Sequence, residues 1–273
     1  IETSAISGGN ITSNGGVPVT QRGVCWSTQP NPATGDFLTV DGSGSGSFSS
    51  ILTELAPNTT YYVRAYAINS SGTAYGNEVS FSTTAFLPEV TTASPADITA
   101  TTAVTGGTVT GDGGAAVIQR GVCYDTDPLP ATSNDTILSG TGTGSFISTL
   151  NGLIPNTTYY VRAFATNITG TAYGNEISFT TPAELPTLTT ETVSGITGTT
   201  AISGGNITYE GGAPVTQRGI CWSSNPTPTL ADLFTSDGSG QGAYVSNLSG
   251  LIPNHTYYLR AYAVTAAGVY YGN

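Results

Sequence analysis

The stretch PNTTYYVRAYA, residues 57–67, returns as PNTTYYVRAFA at 155–165 and as PNHTYYLRAYA at 253–263. Within it Tyr61, Val63, Ala65 and Ala67 alternate with Tyr62, Arg64 and Tyr66, so a strand with a period of two sends the first set to one face and the second to the other. The first set is expected in a core and the second at the surface. A site assembled from unique residues would need no such repetition, and three copies point to architecture.

Other landmarks keep the same interval. RGVCW at 22–26, RGVCY at 120–124 and RGICW at 218–222 are 98 residues apart, with no insertion between them. Three full periods would need 294 residues, 21 more than the 273 here, and the shortfall corresponds to residues 78–98 of the first junction. The expected units are 1–84, lacking its first strand; 85–181, complete; and 182–273, lacking its last strand. The chain is thus expected to be a window on a longer array.

Charged residues are only 8% of the chain and apolar residues 38%, the latter in short alternating runs rather than helical stripes, which makes an all-β chain. No run approaches the ~18 consecutive apolar residues of a membrane span. The net charge is −11 and all six cations are Arg: Arg22, Arg64, Arg120, Arg162, Arg218 and Arg260. There is no basic patch for nucleic acid. Two Arg per unit, always 42 apart, are expected to pair or to lie over neighbouring aromatics, with contact to an acidic sugar as the alternative.

Along the first unit, strand patterns at 3–12, 19–27, 37–41, 47–55, 61–69 and 78–84 are separated by turn chemistry, including SNGG (13–16) and GSGSG (42–46). The junction 87–99 supplies a seventh strand. Seven strands make a two-sheet Greek-key sandwich.

The run Leu55, Pro57, Thr59, Tyr61, Val63, Ala65, Ala67, matched from Leu153 and Leu251, resembles the approach to strand F of fibronectin type III domains. GGNIT, RGVCWS, DGSGSGSF and GTAYGNEVSF are similar to repeats of bacterial secreted and cell-surface proteins. The resemblance covers the whole chain. It implies tandem fibronectin type III-like (Ig-like) sandwiches, an extracellular or cell-surface location, and a structural tyrosine corner at Tyr61, Tyr159 and Tyr257, whose hydroxyl bonds back to the loop backbone. That family usually has a Trp in strand B, where this chain has Gly8-Gly9, Gly106-Gly107 and Gly204-Gly205; Trp26, Tyr124 and Trp222 are expected to fill the space.

The corner is also a glycosylation sequon, at Asn58, Asn156 and Asn254, and six more lie at Asn10, Asn69, Asn134, Asn167, Asn206 and Asn247. The plainer reading accounts for the corner copies without any sugar: Asn starts the turn and Thr suits the strand. Asp135-Thr136-Ile137 resembles a bacterial O-glycosylation pattern, which makes Thr136 the candidate acceptor. One Cys per unit, at Cys25, Cys123 and Cys221, forbids a disulfide within a unit and is expected to be a buried thiol.

One His, no Lys and no recurring carboxylate pair leave no catalytic constellation, so the chain reads as non-enzymatic, with no cofactor and no metal site. Asp36 and Asp41 are the acids nearest to a calcium loop, with an ordinary hairpin as the alternative. GSGSGSF lacks the Lys and the following helix of a phosphate loop. The leading expectation is a spacer array of a bacterial extracellular fibre, stalk or adhesin. Its partners would be neighbouring repeats, laterally associated copies in a filament, and covalent or bound glycans. The alternative is a carbohydrate-binding or accessory region of a secreted enzyme, with Trp26 and Tyr66 as stacking platforms.

Overall fold

The structure, a computed structural model, describes residues 3–273, and strands are its only regular elements among the described residues. The first repeat holds β1 (Ala5–Ile11), β2 (Gln21–Ser27), β3 (Phe37–Leu38), β4 (Gly46–Leu52), β5 (Thr60–Asn69), β6 (Gly72–Tyr75) and β7 (Val79–Ser82). The second holds β8 (Glu89–Ala96), β9 (Thr102–Gly111), β10 (Gln119–Asp125), β11 (Asp135–Leu138), β12 (Gly144–Asn151), β13 (Thr158–Asn167), β14 (Gly170–Tyr173) and β15 (Ile177–Thr180). The third holds β16 (Thr187–Thr190), β17 (Thr200–Tyr209), β18 (Gln217–Ser223), β19 (Leu233–Phe234), β20 (Gly242–Ser249), β21 (Tyr258–Thr265) and β22 (Gly268–Tyr271).

In the second repeat β8, β9 and β12 form one antiparallel sheet, and β11, β10, β13 and β14 the other, with β15 also on β13. β14 faces the C-terminal half of β13 and β15 the N-terminal half, so they are two pieces of one edge. Counted so, the sandwich has seven strands, three against four, with the sheet order of a fibronectin type III-like domain. The Gly-Thr-Ala-Tyr segment, read from sequence as a connection, is therefore a strand. The same break separates β6 from β7 in the first repeat. In the second repeat β8 bonds beside it: Ala163 N–H donates to Thr92 Oγ1 at 3.0 Å, and Thr92 N–H to Asn175 Oδ1 at 3.2 Å. The expected strand at 37–41 is short, and beyond Leu38 it follows β2 by bonds such as Thr39 N–H to Val24 O, 2.8 Å.

Three separate cores result. That of the second repeat gathers Ala103 and Val109 from β9, Val122 from β10, Leu150 from β12, and Val161 and Ala163 from β13. Strand F follows the expected alternation on its inner face, but Tyr66 is a correction: it is 1% exposed, not at the surface. Its ring lies across Gly23, where a Cβ would come within 2.9 Å of Tyr66 Cε1. Its hydroxyl donates to Thr39 O at 2.6 Å, so the buried polar tip is satisfied.

The second correction concerns the strand-B glycines. Trp26 and Trp222 are core residues, but the space over the glycines is filled by Phe48, Phe146 and Tyr244 of the neighbouring strand. These rings sit directly opposite Gly9, Gly107 and Gly205 in register. A Cβ on Gly107 would meet Ala163 Cβ at 2.6 Å and Phe146 Cζ at 3.1 Å, and one on Gly106 would meet Phe146 O at 2.0 Å. Above each ring lies an Arg guanidinium from β2, β10 or β18: Arg22 and Arg120 at 5.3 Å, Arg218 at 5.1 Å. This is an aromatic ring compensating for a glycine across strands. Phe146→Ala is expected to destabilise the second repeat by about 3–5 kcal/mol in chemical denaturation, as for a buried aromatic; a loss under about 1 kcal/mol would show that the ring does not hold the sheets.

Candidate functional site

The corner residues lead to the contacts between repeats. Each corner Tyr hydroxyl accepts a backbone N–H five residues earlier: Ala56 to Tyr61 at 2.9 Å, Ile154 to Tyr159 at 3.0 Å, Ile252 to Tyr257 at 3.2 Å. The bond closes a tight loop, and within it Asn58, Asn156 and Asn254 take the left-handed backbone, with φ of 47°, 51° and 57°. Asn tolerates that conformation better than other residues with a side chain. It aims the Asn side chain away from its own repeat.

There it meets the next one. Asn58 Nδ2 donates to Gly114 O at 2.8 Å, and Asn156 Nδ2 to Gly212 O at 2.9 Å, both over 56 residues. The receiving turn is Asp112-Gly113-Gly114 or Glu210-Gly211-Gly212, with both glycines at φ between 70° and 81°. A Cβ on Gly114 would lie 2.9 Å from Pro57 Cγ, and one on Gly212 2.9 Å from Pro155 Cβ, so glycine is required for closeness as well as for φ. The linker is tied to the same turn: Phe86 N–H donates to Gly113 O at 2.8 Å and Glu184 N–H to Gly211 O at 2.7 Å. In the second repeat Asn167 Nδ2 completes the clamp, donating to Phe86 O at 2.6 Å and Asp112 O at 2.8 Å.

The sequons thus divide. Asn58 and Asn156 are exposed but hold the joints, and Asn167 is 3% exposed with its amide hydrogens engaged, leaving no room for a sugar in the folded repeat. Asn69 Nδ2 donates to Asn14 O at 3.0 Å, and Asn134 Nδ2 to Asp125 Oδ2 at 2.5 Å. Asn10, Asn247 and Asn254 are exposed, Asn206 is half-buried, and Thr136 is exposed on β11.

All six Arg serve the fold. Arg120 Nη1 donates to Gly142, Thr143 and Gly144 carbonyls at 3.2, 2.7 and 3.1 Å, so the Gly-rich hairpin that resembles a phosphate loop wraps a cation of its own chain. The second set, Arg64, Arg162 and Arg260, lies 4.6, 4.7 and 4.7 Å over Tyr75, Tyr173 and Tyr271. Trp26 is 7% exposed, so it and Tyr66 offer no open stacking platform. Asp41 and Asp237 accept from the buried hydroxyls of Ser50 and Ser246, and Asp36 from Ala33 N–H at 2.9 Å. Among the described residues no three His, Cys, Asp or Glu side chains converge as a metal site.

No family model and no curated protein matches the chain. Among solved structures it is similar to the FN1–FN3 domains of chicken CNTN1, at 15% identity and a TM-score of 0.35, covering 99% of this chain and 92% of that one. The strand order defines the class independently: a protein of tandem fibronectin type III-like β-sandwiches.

The joint and the thiols each generate a prediction. Asn58→Ala with Asn156→Ala is expected to leave the unfolding of the repeats within about 0.5 kcal/mol while broadening inter-repeat distances in spin-label measurements; unchanged distances would remove the joint from these side chains. Cys25, Cys123 and Cys221 are buried, and their Sγ–H groups donate to Pro32 O, Pro130 O and Pro228 O. Burial pushes the Cys123 thiol from an ordinary 9.0 up to about 11. The folded state then keeps its proton where the unfolded state has lost it, so the contribution to stability is complete below pH 9.0 and lost as pH rises toward about 11. Denaturation midpoints are expected to fall across that window less steeply in Cys123→Ala than in the parent chain; parallel curves would assign the fall to other groups.

Proposed function

We propose that the chain is a non-enzymatic spacer array, with units at 1–84, 85–181 and 182–273, belonging to an extracellular fibre, stalk or adhesin of a bacterial surface. The observation that carries this reading is the joint, made twice by the same atoms at the same separation. A binding module needs a presented site. A spacer needs a repeatable angle between units, which is what a short, clamped linker supplies.

Supporting features point the same way. Trp26 and Tyr66, the residues that would serve as sugar platforms, are buried, and Tyr75 lies under Arg64; Asp41 and Asp237 are engaged by buried hydroxyls. The length of the parent array, lateral association of chains, and glycans on the exposed sequons belong to the same proposal. Strands of seven or eight residues at ~3.3 Å rise, with their loops, give an advance of roughly 35 Å per repeat.

Single-molecule extension tests it. Pulling on the chain is expected to give discrete unfolding steps, each releasing at most roughly 320–350 Å for a 98-residue unit. One collective step, or saturable heat on titration with soluble oligosaccharides, would favour the accessory-module reading.

A further inference from the structure

In the second repeat, which has a repeat on either side of it, the two sheets offer four edges, and three of them are blunted. β8 has Pro95 and a shifted register between Ala93 and Ala96. β11 is four residues long, and β14 and β15 divide the last edge between them. β12 is different: eight residues, Gly144–Asn151, in unbroken register with β9, with no Pro and no charged side chain. Among the described residues the outer side of this strand has no backbone partner, and the Arg120 fork takes only its first carbonyl, Gly144 O. A long, flat edge of this kind is a template for another strand.

The other two copies guard the same edge. Asp41 and Asp237 place a carboxylate against it, accepting from Ser50 on β4 and from Ser246 on β20. Ser139 stands at that position in the second repeat and meets the Ser148 hydroxyl at 2.7 Å. From Thr136 to Val161 the second repeat has no charged residue, whereas the matching segments hold Asp41 and Glu54 in the first repeat and Asp237 in the third. Two apolar side chains flank the edge only here: Leu138 is 60% exposed and Ile147 76%. Their counterparts are Val40 with Ser49, and Ser236 with Val245, one apolar residue in each pair.

We propose that β12 is a self-pairing edge whose occupant is β12 of a second copy of this chain, antiparallel about a two-fold axis, joining two three-stranded sheets into one of six. In a two-fold pairing each strand satisfies the other with the same groups. With a net charge of −11, two copies repel wherever carboxylates meet, and β12 is a place where none do. Burial restricts the register: Phe146, Ser148 and Leu150 stay inside both sandwiches only when the axis passes through a residue and not between two. Ile147 then packs on the outward face against the other copy. This gives the lateral association of the spacer reading its surface, and it rests on that reading only in setting chains side by side; dimerisation and the separate unfolding of the units can each fail alone.

Sedimentation equilibrium of the chain 1–273 is expected to show a monomer–dimer equilibrium, weak for a single pair of strands, with Kd on the order of 100 µM. Ser139→Asp gives the second repeat the acid native to the other two, and Ile147→Lys puts a charge on the outward face; each is expected to weaken the dimer at least about tenfold. Val245→Lys, at the same position in the third repeat, is expected to leave it unchanged. Ile147 and Val245 are exposed, so unaltered circular dichroism and denaturation midpoints in these variants assign any loss to the contact. A chain that stays monomeric up to about 1 mM, a dimer that survives either substitution in the second repeat, or one weakened equally by Val245→Lys would overturn the proposal.

Discussion

Each repeat depends on one column of contacts that crosses both sheets, in the second repeat Ala163 on β13, Gly107 on β9, the Phe146 ring on β12, and the Arg120 guanidinium on β10. A side chain at Gly107 would push Ala163 or Phe146 away, and one at Gly106 would strike the partner backbone. Gly107 therefore sets the distance at which the sheets pack, and Gly106 the close fit of β9 against β12 within one sheet. The aromatic ring then recovers the apolar burial that the glycines forgo, and the Arg closes it from solvent while satisfying the hairpin carbonyls.

That arrangement explains a chain with so few cations. The guanidinium is wanted for its flat face over a ring and its fork of donors toward carbonyls, a combination Lys lacks. All six Arg work in this way, each over a ring and each donating to a backbone carbonyl. Of the carboxylates, Asp36 caps a turn, and Asp41 and Asp237 accept from buried hydroxyls. In the second repeat, where Ser139 replaces the Asp, it meets the buried Ser148 hydroxyl at 2.7 Å instead.

The joint is an extension of the corner. Closing the loop with the Tyr hydroxyl leaves Asn in a left-handed conformation, and this points its amide into the glycine turn of the following repeat. A feature internal to one sandwich thereby sets the contact to the next. The first repeat has the same turn at Asn14-Gly15-Gly16, with φ of 66° and 86° at the glycines, so the acceptor half of the joint is built into every copy.

Repetition at 98 residues, alternation along strand F and the turn residues made the all-β sandwich readable from sequence, because period-two burial and left-handed glycines are local requirements. The buried thiols and the Arg over aromatics were legible for the same reason. Four things were not. The ring over Gly107 comes from a strand 39 residues away, and only the register of β9 and β12 identifies it as Phe146 rather than Tyr124. Tyr66 sits on the outward face by alternation and is buried only because the chain after β3 crosses its tip. The division of one edge into β14 and β15 shows only in which residues face β13, and the sequon Asn residues acquire their structural use from a turn 56 residues downstream. Local chemistry fixes which way a side chain points, whereas what it meets there is decided by segments that share no sequence neighbourhood with it.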